Sequence, residues 1–456
     1  MSDPLHSIKA GQQSHRCPWL DASRHIEQFD YYHSSKDILV KPCCSLRPQD
    51  PKDFQLDTGT AEHNIQRMRY EFSQGHWPKE CQVCWKEEQE GMISERLRAF
   101  ETFNINELPN RVHHVHIKFS NFCNLACRVC NTTESTTYGK IIANQDPEVF
   151  TQKDISEHIH WPLLLSYLHE VIKKGNKITL CLVGGETTLA PGFMTIGQWL
   201  IDQELIGKVR LAVSSNMLQM PDRLLDLFRR SSGTVIAASL DSTHDNFHYV
   251  RWPGSWKKVT ETLTKISDYR SLHDAKIELQ VSPNFNINNI FYFDDFLDYW
   301  SDNTYDSMQV FNVYAPEVFR IDTIPTYMRP PLIDRLRACV DHRFFDGTRH
   351  SKLVMSWLLT TIQRLEDFSN ADARLWDRYL VVNAEFDYLT NTSLWTHNSR
   401  MADLMSLEDR TFYERSQEQA KTKRLTQQPY LLFDTNHTQW QQIPIRTRSK
   451  SMEAHC

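Results

Sequence analysis

The stretch "FCNLACRVCN", residues 122–131, places Cys123, Cys127 and Cys130 in a C-x3-C-x2-C spacing with no fourth cysteine nearby. Thiolates hold zinc and iron–sulfur clusters, and a structural zinc site closes on four ligands, so three thiols are an odd count. A four-iron cluster held by three cysteines leaves one iron open to a chelating small molecule. Zinc completed by His113, His114 or His116 is the competing reading, but these histidines lie inside the preceding run and alternate faces. That run, "VHHVHIKF" (112–119), reads as a β-strand, so the thiols stand at a strand's C-terminal end, where barrel folds present their chemistry.

Outward from the loop, short β-branched runs recur between helical stretches. The further candidate strands are "KITLCLVG" (177–184), "KVRLAVSS" (208–215), "GTVIAASL" (233–240), "KIELQVSP" (276–283) and "SMQVFNVY" (307–314). Between them "LLLSYLHEVIKK" (163–174) and "DRLLDLFRRSS" (222–232) repeat apolar residues at i, i+3 and i+4, as helices packed on a sheet require. The expected fold is α/β: a partial (β/α)6 TIM-like barrel over residues 111–320. A small cysteine-rich module is expected over 1–110, with one helical stretch, "AEHNIQRMRYEFSQG", ending on Gly75. Helices and a polar tail bearing Arg446, Arg448 and Lys450 are expected over 321–456, the tail solvated or loosely docked.

Composition narrows the function classes. Eight of the eleven cysteines fall between Cys17 and Cys130, which favours metal ligation over scattered core thiols. A formal net charge of −6 without a basic stripe argues against nucleic-acid binding. No apolar run approaches the ~18 residues of a membrane span, and "MSDPLHSIKAGQQSH" has no apolar signal region, so the expectation is a soluble, cytoplasmic chain without a membrane partner. Cys181, inside a predicted strand, and Cys339, on an apolar helix face, read as small core residues.

The three-cysteine loop after a first strand, with Phe122 before the first thiol, resembles the radical S-adenosylmethionine (radical SAM) superfamily. "GGET" (184–187), "SSN" (214–216) and "SLDS" (239–242) follow at successive strand ends in that family's order, with threonine where proline is common. The resemblance implies a [4Fe–4S] cluster on Cys123, Cys127 and Cys130, and SAM surrounded by Gly184, Gly185, Glu186, Ser214, Asn216, Ser239 and Asp241. It implies reductive cleavage of SAM to a 5′-deoxyadenosyl radical, fed by a flavodoxin- or ferredoxin-type electron donor. "THDNFHYVRWPGSW" (243–256) resembles a segment of peptide-modifying members, so the implied reaction is C–H functionalisation of a ribosomally made peptide. A sugar or amino-acid derivative is the alternative substrate, and a zinc-bound interaction protein on a barrel scaffold is the alternative from another class. In that segment Arg251 offers a bidentate donor, and Trp252 and Trp256 flat walls, for a substrate; the alternative is that Arg251 pairs with a neighbouring acid and the tryptophans cap the barrel.

"CQVCWKEEQEGMISER" (81–96), with Cys17 in "CPWL" and the pair Cys43–Cys44, resembles the module of twitch-domain proteins, a cut-down relative of the SPASM domain. This implies an auxiliary iron–sulfur cluster on Cys17, Cys43, Cys81 and Cys84, with zinc as the alternative. Cys43 follows "VKP" as the family's ligand follows its strand, and Cys44 points the other way in an extended chain. Glu88, Gly91, Ser94 and Arg96 are expected to build this module. Some family members use a cysteine as hydrogen-atom donor, which would make Cys181, Cys339 or Cys456 candidates.

Overall fold

The structure, a computed structural model, describes residues 16–28, 38–43, 46, 50–56, 59–89, 94–102, 112–132, 134–143, 159–174, 177–313, 316–423 and 446. It divides into two units, the first comprising Met1–Ser120, Ile155–Val213 and Asp226–Thr234 and the second Asn121–Asp154, Ser214–Leu225 and Val235–Cys456.

In the first unit, β1 (Ser23–Gln28), β2 (Ile38–Lys41), β3 (His114–Lys118), β4 (Ile178–Val183) and β5 (Val209–Ser215) lie in the order β2-β1-β3-β4-β5. All pairings are parallel except the antiparallel β1–β2 hairpin. Alternation makes the strands: Val115 and Ile117 are buried between the half-buried His114, His116 and Lys118, and β5 buries Val209, Leu211 and Val213. The helix Trp161–Lys174 buries Leu164, Leu168 and Ile172, a stripe at i+4. The helix Thr60–Ser73 buries Ala61, Ile65, Met68 and Phe72 and stops where Gly75 turns to φ 78°. β1 was not foreseen, because "SRHIEQ" holds one β-branched apolar residue, Ile26. Its parallel register with β3, Arg24 opposite Val115, joins the N-terminal segment to the first strand of the expected barrel.

In the second unit, β6 (Gly233–Ala238), β7 (Ile277–Val281) and β8 (Ser307–Met308) are neighbours in that order. The single strand expected over 307–314 is two ladders. Ser307–Met308 pairs with β7, and Phe311–Asn312 pairs with Asn284–Phe285. Pro283, which has no N–H to give a ladder, separates β7 from Asn284–Phe285. Among the described residues four long helices follow, Arg329–Ala338, Arg349–Glu366, Ala373–Thr390 and Leu407–Lys423, with two single-turn helices, Leu394–His397 and Ser399–Ala402, between the last two. Ala373–Thr390 is buried on most of its faces. Of the expected tail, Arg446 is docked: its backbone N–H and its guanidinium donate to Asp377 at 2.9 and 2.8 Å, and it pairs with Asp409 at 2.6 Å. Parallel strands with helices between them make this an α/β fold, as the alternating runs predict. Among the described residues no helix is long and apolar enough to cross a membrane.

Candidate functional site

The three-thiol loop is shaped by its own backbone. Cys130 N–H donates to Cys127 O at 2.9 Å, closing a tight turn, and Leu125 and Ala126 are buried as its apolar footing. The helix Thr136–Ala143 holds the loop from the other side: Thr136 Oγ1 accepts from Cys123 N at 3.1 Å, Thr137 Oγ1 donates to Cys123 O at 2.7 Å, and Ser135 Oγ donates to Leu125 O at 2.5 Å. Cys123, Cys127 and Cys130 are half-buried and none is in a disulfide. Burial pushes the Cys130 thiol well up, and Cys127, Glu134 and Cys123 add to the shift. Three thiols gathered in one half-buried loop, with one another's charge opposing ionisation of Cys130, suit a ligand that brings its own positive charge, so the donor set fits a metal cluster.

Arg128, between two of these cysteines, was not singled out from the sequence. It is fully buried and donates to Tyr249 O at 2.8 Å, Asn383 Oδ1 at 2.7 Å and Thr392 Oγ1 at 2.7 Å, and it pairs with the buried Asp387. Its guanidinium lies 3.5 Å from the Tyr249 ring centroid and 4.6 Å from that of Phe386. The three-thiol loop is thereby fastened to the helix Ala373–Thr390.

Cys127 pairs in register with Arg251, in a short antiparallel ladder with Arg251–Trp252. Of the two readings of Arg251, substrate donor or partner of a neighbouring acid, the structure shows the pairing with an acid. Its Nε donates to Asp241 Oδ2 at 2.8 Å, and its Nη1 reaches Cys127 Sγ at 3.8 Å. Burial alone would lower this guanidinium, but Asp241 beside it raises it. Asp241 is fully buried, and its other oxygen accepts from Asn284 N at 2.8 Å. Trp256 is likewise a packing residue, with ring centroids 5.4 Å from Phe247 and 4.9 Å from Tyr299. The neighbouring strand ends carry the expected polar residues. Asn216 Nδ2 donates to Asn124 Oδ1, inside the cysteine loop, at 2.7 Å, while Ser214 and Ser239 are half-buried and Ser239 N donates to Ser215 O at 2.8 Å.

In the first unit, β4 ends in Gly184 and Gly185 at φ 106° and 54°. A Cβ on Gly184 would stand 2.3 Å from Ser120 O, backbone against side chain, so only glycine fits. Glu186 is buried and accepts from Thr188 Oγ1. Thr187, where proline is common, donates to Leu182 O at 3.3 Å.

The same unit gathers Cys17, Cys43, Cys81 and Cys84 around one cavity walled by Trp19, Leu46, Phe72, Trp77 and Arg96. Burial, with Cys84 adding, pushes Cys17 up to about 12, and burial, with Cys17 and Cys84 adding, raises Cys81. Four thiols converging in an apolar pocket fit a metal or cluster as the loop does. Arg96 lines the cavity and is held there by Glu88 and Ser94: Ser94 Oγ donates to Glu88 Oε1 at 2.5 Å, Arg96 Nε to the same oxygen at 2.9 Å, and Arg96 lies 4.9 Å from the Trp77 ring centroid. Gly91, Cys44 and Cys456 lie outside the described residues. Cys339 is buried in its helix, its thiol pushed up to about 11 by burial. Cys181 is buried too, but its Sγ lies 2.9 Å from His114 Nε2.

Residues 117–291 match the family model of the Radical SAM superfamily. No curated protein matches the chain significantly. Among solved structures, it is similar to native anSMEcpe with bound AdoMet, at 14% identity and a TM-score of 0.39 over 52% of this chain and 62% of that one. It is similar to Streptococcus suis SuiB bound to S-adenosylmethionine, at 13% identity and a TM-score of 0.36 over 71% of this chain and 70% of that one. For SuiB bound to precursor peptide SuiA the values are 12% and 0.34, over the same shares. The chain thus spans under two thirds of the length of anSMEcpe.

Proposed function

We propose that the protein is a radical SAM enzyme that functionalises a C–H bond of a peptide, with a second iron–sulfur cluster in its N-terminal cysteine pocket. The observation that carries this reading is the three-thiol loop, which lies inside the segment matched by the family model and is built as a half-buried set of three thiol donors. When bound, the cluster supplies an open iron for the SAM amino and carboxylate groups and the electron that releases a 5′-deoxyadenosyl radical. Cys123, Cys127 and Cys130 give up their protons to hold it. Arg251, fixed by Asp241, places positive charge beside Cys127 Sγ, which favours the thiolate and the reduced cluster. Gly184 and Gly185 leave backbone groups open to close approach by SAM, and Ser214, Asn216 and Ser239 offer polar contacts to it. Cys17, Cys43, Cys81 and Cys84 hold the auxiliary cluster. A flavodoxin- or ferredoxin-type protein is the electron donor. The peptide assignment rests on the resemblance of residues 243–256 to peptide-modifying members.

Anaerobically reconstituted protein, once reduced, should convert SAM to 5′-deoxyadenosine, and Cys127→Ala should abolish this; turnover persisting in the variant refutes the loop assignment. Replacing all three loop cysteines by alanine should leave about half the iron, on a count of two four-iron clusters. Iron at background, or one equivalent of zinc in its place, refutes the auxiliary cluster alone. For the substrate, co-expression with short open reading frames from the gene neighbourhood should yield a peptide of altered mass. No altered peptide, with a small metabolite consumed instead, refutes the peptide reading.

A further inference from the structure

A third group of metal-ligand side chains lies in the first unit, apart in residues from both thiol sets. His114 and His116 are two apart on β3 and so share a face, and Cys181 on β4 pairs in register with His116. Their ligand atoms all lie within 4.8 Å of one another, with His114 Nε2 and Cys181 Sγ at 2.9 Å. The two imidazole rings stack at 4.6 Å and 22°. The Trp19 indole meets both edge-on, at 5.7 and 6.0 Å, and is itself fixed by its N–H donating to Glu95 O at 2.8 Å. The three donors project from two neighbouring strands, where a sheet holds side chains at fixed spacing, and a rigid aromatic wall closes one side.

We infer that His114, His116 and Cys181 form a binding site for a zinc-type divalent cation. Two imidazole nitrogens and one thiolate are the ligand types zinc prefers, at about 2.0–2.1 Å for nitrogen and about 2.3 Å for sulfur. Tetrahedral bonds of those lengths separate neighbouring donors by about 3.5 Å, so the His114–Cys181 pair needs to open by roughly half an ångström. On binding, a metal–sulfur bond replaces the Cys181 S–H bond and the proton leaves to solvent. The half-buried histidines leave the fourth position to water. The alternative is a thiol–imidazole hydrogen bond that takes no metal, as the reading of Cys181 as a small core residue would have it.

Zinc K-edge absorption distinguishes these, because it sees zinc without interference from iron. Protein with its clusters reconstituted is treated with a chelator, titrated with zinc sulfate and desalted. The expected result is one retained zinc whose shell holds one sulfur and two imidazole nitrogens, with Cys181→Ser weakening retention roughly tenfold or more at unchanged iron content. His116→Gln is the second variant and should also lose the zinc, and the wild-type spectrum decides whether or not either variant folds. No retained zinc, or a shell of sulfur alone that places the metal on Cys17, Cys43, Cys81 and Cys84, overturns the site.

Discussion

Arg128 has no exposed surface, and its partner Asp387 also accepts from Tyr413 Oη at 2.6 Å and Leu394 N at 2.7 Å. Removing one member of a buried ion pair strands the other, at a cost of about 3–5 kcal/mol. Arg128→Met is therefore expected to lower the thermal midpoint clearly, and Arg128→Met combined with Asp387→Asn to recover part of the loss. A double variant no better than the single one, measured by calorimetry, would show that the charge pair is not what holds the loop. The loop cysteines were legible because thiolate chemistry demands one residue type at close spacing. Arg128 was not, since its side-chain partners lie 255 to 264 residues further along the chain. Arg251 stood between two readings for a related reason. Nothing in "YVRWPGSW" shows that Asp241, ten residues earlier, folds beside its guanidinium.

Elements were legible where burial imposes a period. β3, β4, β5, β6 and β7 all fall inside runs whose apolar residues alternate or cluster. β1 was hidden by its polar composition and β2 by its length of four residues, and the short Ser307–Met308 and Phe311–Asn312 ladders by a single strand-like run that changes partner midway. Short turns carry their own chemistry. In the 3-10 turn Ile321–Thr323, Asp322 pairs with Arg320 and, at 3.0 Å, with Arg364 on the helix Arg349–Glu366. Burial alone would lift its carboxyl, but Arg320 and Arg364 outweigh this and hold it below the usual carboxylate range. The ionised form is thus favoured by folding. Its contribution is present at neutral pH, above the unfolded value of 3.8, and is lost as pH falls through the lower folded value. Asp322→Asn should cost about 1.5–3 kcal/mol at pH 7, and the deficit should narrow near pH 3. Urea titrations at both pH values check this, and an equal deficit at both would rule out the ion pairs as its source.

At the scale of the whole molecule, the α/β class was legible in the alternating runs, and the four cysteines that the resemblance grouped line one cavity. The docking of Arg446 was not legible, because Asp377 and Asp409 lie far from it in sequence and inside helices whose polar residues read as solvated faces. The same long reach orders events while the chain is being made. The cysteine loop leaves the ribosome well before Asn383, Asp387 and Thr392 exist, and at about 5–20 residues per second that interval is roughly 13–50 s. Through it the Arg128 guanidinium has no carboxylate to meet, and the three thiols sit on an unfastened segment exposed to oxygen and to any passing metal. Under the proposed function, iron delivered in that window would enter a loop whose shape is not yet set, so faithful loading would belong after synthesis, once the last helices have closed on Arg128.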